Sequence, residues 1–198
     1  MKRVMLGLML ILGVSATQVN AQSIATGIKA EANLSNFILT DMPTAESTLG
    51  IGATIGGFVK FDISKNFAIQ PELLFHFQSS KMEQLTIERN YEYWGVEIPV
   101  YAMGQWTNSS NGRFYAGVGP YIGLGFDARY DNPEHKLYDD DTLLPVDFGF
   151  GVQVGYEFAN GIQINAGYKL GVVDALDTAK DISTMLPQRI SLGIGFRF

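Results

Sequence analysis

The chain of 198 residues contains no cysteine, which excludes a disulfide framework, thiolate catalysis and cysteine-based metal sites. Charged residues make up only 17% of it, below the proportion of about a quarter that is usual in soluble domains. A formal net charge of −6 argues against nucleic acid as a partner, because binding a phosphate backbone requires a basic surface. The sequence has neither an HExxH nor a GxSxG motif, so it lacks two common signatures of hydrolases.

Long apolar runs are also absent beyond the first residues, where a transmembrane helix would need about 20 such residues. At the start, Lys2 and Arg3 precede an apolar segment at 4–14, and small or polar residues follow at 15–22. This order is typical of a secretory signal peptide that is cleaved after Ala21. We therefore predict a signal peptide at residues 1–21 and a single domain at residues 22–198.

The predicted domain is marked by alternation of apolar residues with small or polar ones. Its last ten residues, RISLGIGFRF, place an apolar side chain at every second position. Successive side chains of a strand point to opposite faces, so this pattern predicts one apolar face and one small or charged face. The pattern predicts about eight strands, within residues 26–36, 50–63, 67–78, 93–104, 113–127, 146–158, 162–172 and 189–198.

The connections between these strands alternate in length. Short stretches rich in Asn, Ser and Gly occur at 64–66, 105–112 and 159–161. The longer polar stretches fall near 37–49, 79–90, 127–145 and 173–188. Short turns at one rim and long loops at the other are typical of bacterial outer-membrane barrels.

The composition of the two strand faces decides which face meets the solvent. The apolar face is almost free of charge, whereas glycine dominates the other face. Glycine is unusual on a water-facing strand surface but fits the crowded interior of a small barrel. We therefore predict an all-β fold, an eight-stranded antiparallel up-and-down transmembrane β-barrel with its apolar face toward lipid. The last strand is expected to pair with the first, which leaves no free edge.

Charged residues on the other face are predicted to occupy the lumen. Two arrangements are open: a salt-bridge network that fills the interior, or a narrow aqueous path. We favour the network, because buried charges must be paired and small barrels are filled by side chains. The predicted lumen network comprises Lys29, Glu31, Lys60, Glu72, Glu97, Asp147, Glu157, Lys169, Arg189 and Arg197, and Asp62 and Asp127 share the same face.

Two further features of the sequence are candidate sites of chemistry. His76 lies near Ser79 and Ser80, and a catalytic dyad there is an alternative to the favoured hydrogen-bonded histidine. The segment 130–141 contains His135 and several carboxylates, and a calcium site is an alternative to the favoured solvated acidic face. We predict no catalytic residue, no metal site, no cofactor and no enzymatic activity.

Several stretches resemble those of a known family: the N-terminal segment, IQPELLF (69–75), GVEIPVYAMG (95–104), YAGVGPYIGLG (115–125) and SLGIGFRF (191–198). Together they resemble small outer-membrane β-barrel proteins of the porin-family or PorT-like type, with an OmpA/OmpX-like eight-stranded architecture. The resemblance implies location in the bacterial outer membrane. The terminal Phe196 and Phe198 resemble the sorting signal that the barrel assembly machinery reads during insertion.

The expected function is structural, adhesive or ligand-binding, with a plugged lumen and long extracellular loops that carry specificity. The alternative is a narrow porin-like channel for ions or very small solutes. Expected partners are outer-membrane lipids, lipopolysaccharide bridged by divalent ions to the acidic loop, and an extracellular partner that the sequence does not identify. Such a partner would contact loop aromatics such as Tyr130 and Tyr138.

Overall fold

The computed structural model describes residues 23–40, 45–84, 87–108, 111–130, 132–136, 146–172 and 184–198. The predicted cleavage after Ala21 falls outside these ranges. No helix within them is long and apolar enough to cross a membrane. The described residues form ten strands: β1 (Ser23–Thr40), β2 (Ala45–Thr48), β3 (Gly50–Ser64), β4 (Phe67–Gln84), β5 (Ile87–Thr107), β6 (Arg113–Tyr130), β7 (Asn132–Lys136), β8 (Val146–Glu157), β9 (Ile162–Gly171) and β10 (Thr184–Arg197).

Eight of these strands form a closed barrel in the order β1, β3, β4, β5, β6, β8, β9, β10 and back to β1. All the pairings are antiparallel. The short strand β2 pairs with the far end of β4, and β7 pairs with the far end of β6. The predicted eight-stranded antiparallel barrel is thus confirmed, and the two short strands are additions that alternation did not predict.

The last strand closes the barrel against the first. Gly27 of β1 lies opposite Arg197 of β10, and the register continues without a break to Thr40 and Thr184. Beyond the end of β10, the backbone N–H of Phe198 donates to the carbonyl oxygen of Thr26 at 2.8 Å. Closure pairs the backbone of both terminal strands, which is the requirement for spanning a bilayer without water.

The two faces of the barrel wall have inverted polarity relative to a water-soluble protein. Apolar side chains of the outer face are widely exposed, as for Ile51 (70%) and Ile194 (64%). The inner face buries charged groups such as Lys60 (1%) and Glu97 (2%). Charged residues are almost never fully buried unless they are paired, so this distribution identifies the outer face as the one that meets a hydrocarbon solvent.

Both tryptophans of the chain lie on the outer face of β5, and both are about half exposed. Trp94 and Trp106 are 106 − 94 = 12 residues apart, which at about 3.4 Å per residue and a tilt of about 40° corresponds to about 30 Å along the barrel axis. This separation matches the thickness of a bilayer core, and tryptophan is enriched at both membrane interfaces. The pair therefore indicates the two interfacial levels of the barrel.

The strands run further than the sequence predicted. β4 continues to Gln84 and β5 begins at Ile87, so most of the stretch 79–90 is strand, and its prediction as a loop is wrong. β5 begins 94 − 87 = 7 residues beyond Trp94, or about 18 Å beyond that level at the same rise and tilt. The physical reason is that backbone pairing continues outside the bilayer, where polar side chains are tolerated on both faces.

The hydrogen-bonded register is interrupted beside three prolines in neighbouring strands. Pro71 of β4 adjoins a break in the β3–β4 ladder and another in the β4–β5 ladder. Pro99 of β5 lies in that β4–β5 break, and Pro120 of β6 lies in a break in the β5–β6 ladder. Proline has no backbone N–H to donate to a ladder. The gaps in the three ladders therefore coincide with residues that cannot donate a backbone hydrogen bond.

Candidate functional site: the charged lumen

The inner face organises its charged side chains into three clusters stacked along the barrel axis. Alternation along each strand turns these residues inward, and the pairing registers set their heights. Each cluster contains a glutamate that accepts contacts from more than one strand. The lower cluster, nearest the short turns, is Lys60, Asp62, Arg113, Glu157 and Arg197; the middle cluster is Lys29, Glu31, Gln70, Glu72 and Gln153; the upper cluster is Glu97, Tyr121, Asp147, Lys169 and Arg189.

Glu157 is the centre of the lower cluster. Arg197 donates through Nε to its Oε1 at 2.8 Å, and Arg113 Nη2 lies 3.5 Å from the same oxygen. Lys60 Nζ is 4.0 Å from Oε2, which also accepts a hydrogen bond from Gln163 Nε2 at 2.9 Å. With its side chain 2% exposed, Glu157 has exchanged water for these donors. Hydrogen-bonded pairing of this kind offsets the cost of burying a carboxylate.

Glu72 is the corresponding centre of the middle cluster. Lys29 Nζ lies 3.1 Å from its Oε2 and also 2.7 Å from Glu31 Oε1. The amides of Gln70 and Gln153 donate to Glu72 Oε1 at 2.8 and 3.3 Å. One lysine therefore links two carboxylates, while neutral amides satisfy the remaining oxygen.

Glu97 is the centre of the upper cluster. Its two carboxylate oxygens accept separate hydrogen bonds from Lys169 and Arg189, which are direct cross-strand neighbours. Tyr121 donates its hydroxyl to Asp147 Oδ2 at 2.8 Å in the same region. Charge-assisted hydrogen bonds are the stronger ones in proteins, especially where water is excluded.

Two of these ion pairs join opposite walls of the barrel. β5 and β10 are four strands apart in a ring of eight, so the Glu97–Arg189 pair crosses the full width of the lumen. β3 and β8 are also four strands apart, and the Lys60–Glu157 pair spans them. An open axial path would have to pass through these contacts.

Three tyrosine rings fill much of the remaining lumen, and the inward glycines make room for them. A methyl group at Gly149 would lie 2.7 Å from the ring of Tyr121, and one at Gly151 would lie 2.8 Å from the hydroxyl of Tyr101. A methyl group at Gly155 would lie 2.4 Å from the ring of Tyr115. Tyr101 and Tyr115 form a buried apolar layer with Ala68 and Met103. The glycine-rich inner face is thus complementary to large side chains from β5 and β6.

The ten charged residues that the sequence assigned to the lumen occupy the inner face, and nine of them lie in ion pairs. Asp147 differs, because its side-chain hydrogen bond comes from Tyr121. Arg113 was missed, although it bridges Asp62 and Glu157. It precedes the first apolar residue of its strand, and extending the alternation by one position would have found it.

Asp127 lies next to a register shift in the β5–β6 ladder. It stands opposite the outward-facing Trp94 and is only partly buried. The shift changes the phase of alternation at this end of the strand, which a fixed two-residue period cannot anticipate.

His76 and Ser79 do not form a dyad. His76 is 3% exposed, and neither ring nitrogen has a hydrogen-bond partner within the described part of the chain. Its ring packs edge-on against Tyr93 at a centroid distance of 5.0 Å. The Ser79 hydroxyl instead donates to the carbonyl oxygen of Ile51 at 2.9 Å, and its odd position places it on the other face of β4.

The acidic segment 130–141 lies partly outside the part of the chain that the structure describes. Residues 137–145, including Tyr138 and the aspartates at 139–141, lie outside the described ranges, as do the side chains of Tyr130 and His135. Among the described residues there is no group of three or more His, Cys, Asp or Glu side chains that could hold a metal ion.

A closed antiparallel barrel with an apolar exterior, two tryptophan levels and an ionic interior defines the class of outer-membrane β-barrel proteins. The chain belongs to the family described as outer membrane protein beta-barrel domain, whose model matches residues 12–177. It is a protein of the bacterial outer membrane, as the sequence predicted.

Two solved structures show the same fold at low sequence identity. The outer membrane protein OprG from Pseudomonas aeruginosa is 10% identical, with a TM-score of 0.57 over 89% of this chain and 97% of its own. Neisserial surface protein A (NspA) is 14% identical, with a TM-score of 0.50 over 89% of this chain and 99% of its own. None of the curated proteins matches the chain.

Proposed function

We propose that this protein is a closed, non-conducting barrel that anchors a ligand-binding or adhesive loop rim at the cell surface. The observation that carries the proposal is the contact between opposite walls: Glu97 and Arg189 meet across the lumen, and both are nine-tenths or more buried. Tyr101 and Met103 occlude the level below, at 2% and 1% exposure. A hydrated pore of useful width would expose such groups to water.

The loop end is the functional end in this proposal. Both chain ends of the barrel and the short turns at Ser64–Phe67 and Glu157–Ile162 lie at one rim. In bacterial outer-membrane barrels that rim faces the periplasm. The opposite rim carries the longer connections, and the β4–β5 hairpin projects beyond Trp94 toward the exterior. Rigid walls below variable loops are a common arrangement for recognition.

Absence of catalysis is part of the proposal. Ser79 and His76 occupy opposite faces of their strand, and the described residues offer no three-ligand metal site. Hydrolysis by a nucleophile and base would require the two side chains within hydrogen-bond reach.

Planar-bilayer recording of the refolded protein tests closure. We expect no discrete conductance steps from the unmodified barrel. Steps are expected from a fourfold variant that combines Tyr101→Ala and Met103→Ala with Glu97→Ala and Lys60→Ala, which thins the occluding layer and removes one partner of each ion pair that crosses the lumen. Val100→Ala is the matched control, because the neighbouring residue on the same strand faces lipid. If the unmodified protein gives steps as regular as those of the fourfold variant, the closed barrel is wrong and the narrow channel is the correct interpretation.

Surface labelling of intact cells tests the loop end separately. The chain has no cysteine, so single-cysteine variants report one position each. A membrane-impermeant maleimide should label Asp140→Cys in the long connection after β7 and leave Asn160→Cys in the short turn before β9 unmodified. The reverse pattern would place the short turns outside the cell and contradict the proposal.

A further inference from the structure

The lipid-facing wall contains a groove that runs from β10 across β1, β3 and β4 and ends against β5 and β6. Its floor is made of three alanines on two paired strands. Ala32 of β1 lies directly opposite Ala53 of β3, and Ala30 is two residues further along β1 on the same face. Short side chains on adjacent strands lower the surface here, whereas leucine, isoleucine and phenylalanine cover the wall on either side.

Large side chains stand up on both sides of this floor. Leu192 and Ile194 of β10 bound one side, at 65% and 64% exposure. Ile55 of β3 and Phe75 of β4 bound the other, at 65% and 53%. The recess is open on its outer side and has a volume of about 990 Å³, which is at the upper end of the range of about 300–1,000 Å³ that is usual for small-molecule sites.

The groove belongs to the outer half of the membrane. Trp94 and Phe126 line its loop-side end, and Trp94 indicates the interfacial level on that side. Phe77, which packs against Trp94 at 4.6 Å between ring centroids, is part of the same border. The groove therefore opens where the acyl chains of the outer leaflet begin. In a bacterial outer membrane that leaflet consists of lipopolysaccharide.

The shape favours a thin, flexible occupant over a second barrel. Two barrels are convex cylinders that meet along their most prominent side chains, here Leu192 and Phe75, so a second copy would not reach the alanine floor. A stable protein interface needs about 1,000 Å² or more of well-packed surface. Hydrocarbon chains can instead fill the recess, and van der Waals contact with its floor and sides favours their retention.

We propose that this groove binds the fatty acyl chains of the lipid anchor of lipopolysaccharide. The volume of the groove is larger than that of one acyl chain. Once the first chain is bound, the other chains on the same headgroup enter at high effective concentration. A phospholipid brings only two chains per headgroup. The site lies on the outer wall and is independent of whether the lumen conducts.

The two tryptophans provide a built-in assay. Trp106→Phe leaves Trp94 at the groove as the sole indole, and Trp94→Phe leaves Trp106 at the opposite level. Each variant is folded into vesicles of phosphatidylcholine with brominated acyl chains, which quench tryptophan fluorescence on contact. Unbrominated lipid A is then added. We expect half of the Trp94 fluorescence to return at a mole fraction of lipid A about fivefold lower than for Trp106.

Filling the floor provides the matched comparison. Ala32→Phe in the Trp106→Phe background should abolish the early return of Trp94 fluorescence, and Ala53→Leu serves as a smaller filling if the first variant does not fold. Ala116→Phe adds the same bulk on the outer face of β6, away from the groove, and should leave the return unchanged. Equal mole fractions for both tryptophans, or an equal effect of unbrominated phosphatidylethanolamine, would overturn the proposal.

Discussion

Replacing Glu97 with glutamine removes the carboxylate that joins opposite walls of the barrel. The side chain is 2% exposed and accepts hydrogen bonds from both Lys169 and Arg189. Glutamine keeps the size but leaves two buried cations without their common partner. Removing one partner of a buried ion pair costs about 3–5 kcal/mol, chiefly because the remaining charge stays desolvated. We expect the Glu97→Gln variant to lose that much free energy of unfolding.

The loss is measured by urea unfolding of the protein in lipid vesicles, followed by tryptophan fluorescence. For a slope of about 2 kcal/mol per molar urea, the midpoint should fall by about 1.5–2.5 M. Glu92→Gln is the matched control on the same strand, because Glu92 is exposed and its replacement should change stability by about 0.5 kcal/mol or less.

A compensating variant separates charge burial from loss of packing. Glu97→Leu combined with Lys169→Met and Arg189→Met replaces the whole ion group by apolar side chains, which is often neutral or stabilising. We expect it to recover most of the loss, to within about 1 kcal/mol of the unmodified barrel. A Glu97→Gln variant as stable as the Glu92→Gln control would show that water reaches the upper cluster, and the reasoning for a closed lumen would fail.

Three other outcomes follow from the contacts. Gly119→Ala should prevent folding into vesicles or lower the free energy of unfolding by about 3 kcal/mol or more, because the added methyl group would lie 1.9 Å from the backbone oxygen of Val100. Gly117→Ala is the control and should fold, because its methyl group would meet only the flexible side chain of Met103, at 2.3 Å from the sulfur. Tyr121→Phe should lower the urea midpoint by an amount equivalent to about 1.5–3 kcal/mol, because the half-buried carboxylate of Asp147 loses its hydroxyl donor. A change below about 0.5 kcal/mol would show that water replaces that donor. If Phe198 is an assembly signal, its deletion should reduce insertion in cells, as measured by outer-membrane fractionation. The yield of refolding of the purified chain into vesicles should then stay within twofold of normal, which corresponds to about 0.4 kcal/mol or less.

The fold could be predicted from the sequence because a barrel repeats one local rule. Neighbouring residues such as Ile194 and Gly195 have opposite position parity, and parity decides which side of the wall each one faces. Closure follows from the same rule, since exposed backbone edges are not tolerated in lipid. Alternation does not predict the strands beyond Trp94, because they leave the bilayer there and their outward positions need not be apolar. The stretch 79–90, predicted as a loop, is therefore mostly strand.

The sequence by itself determined that charged groups lie inside, but the tertiary structure decided how they pair. Glu97 meets Lys169 and Arg189 across 72 and 92 residues of chain, and no local pattern contains that information. The pairing depends on which strands face each other in the ring and on the register that sets their heights. The alanine groove has the same origin: each alanine is unremarkable in its own strand, and only the pairing of β1 with β3 brings them together into a recess.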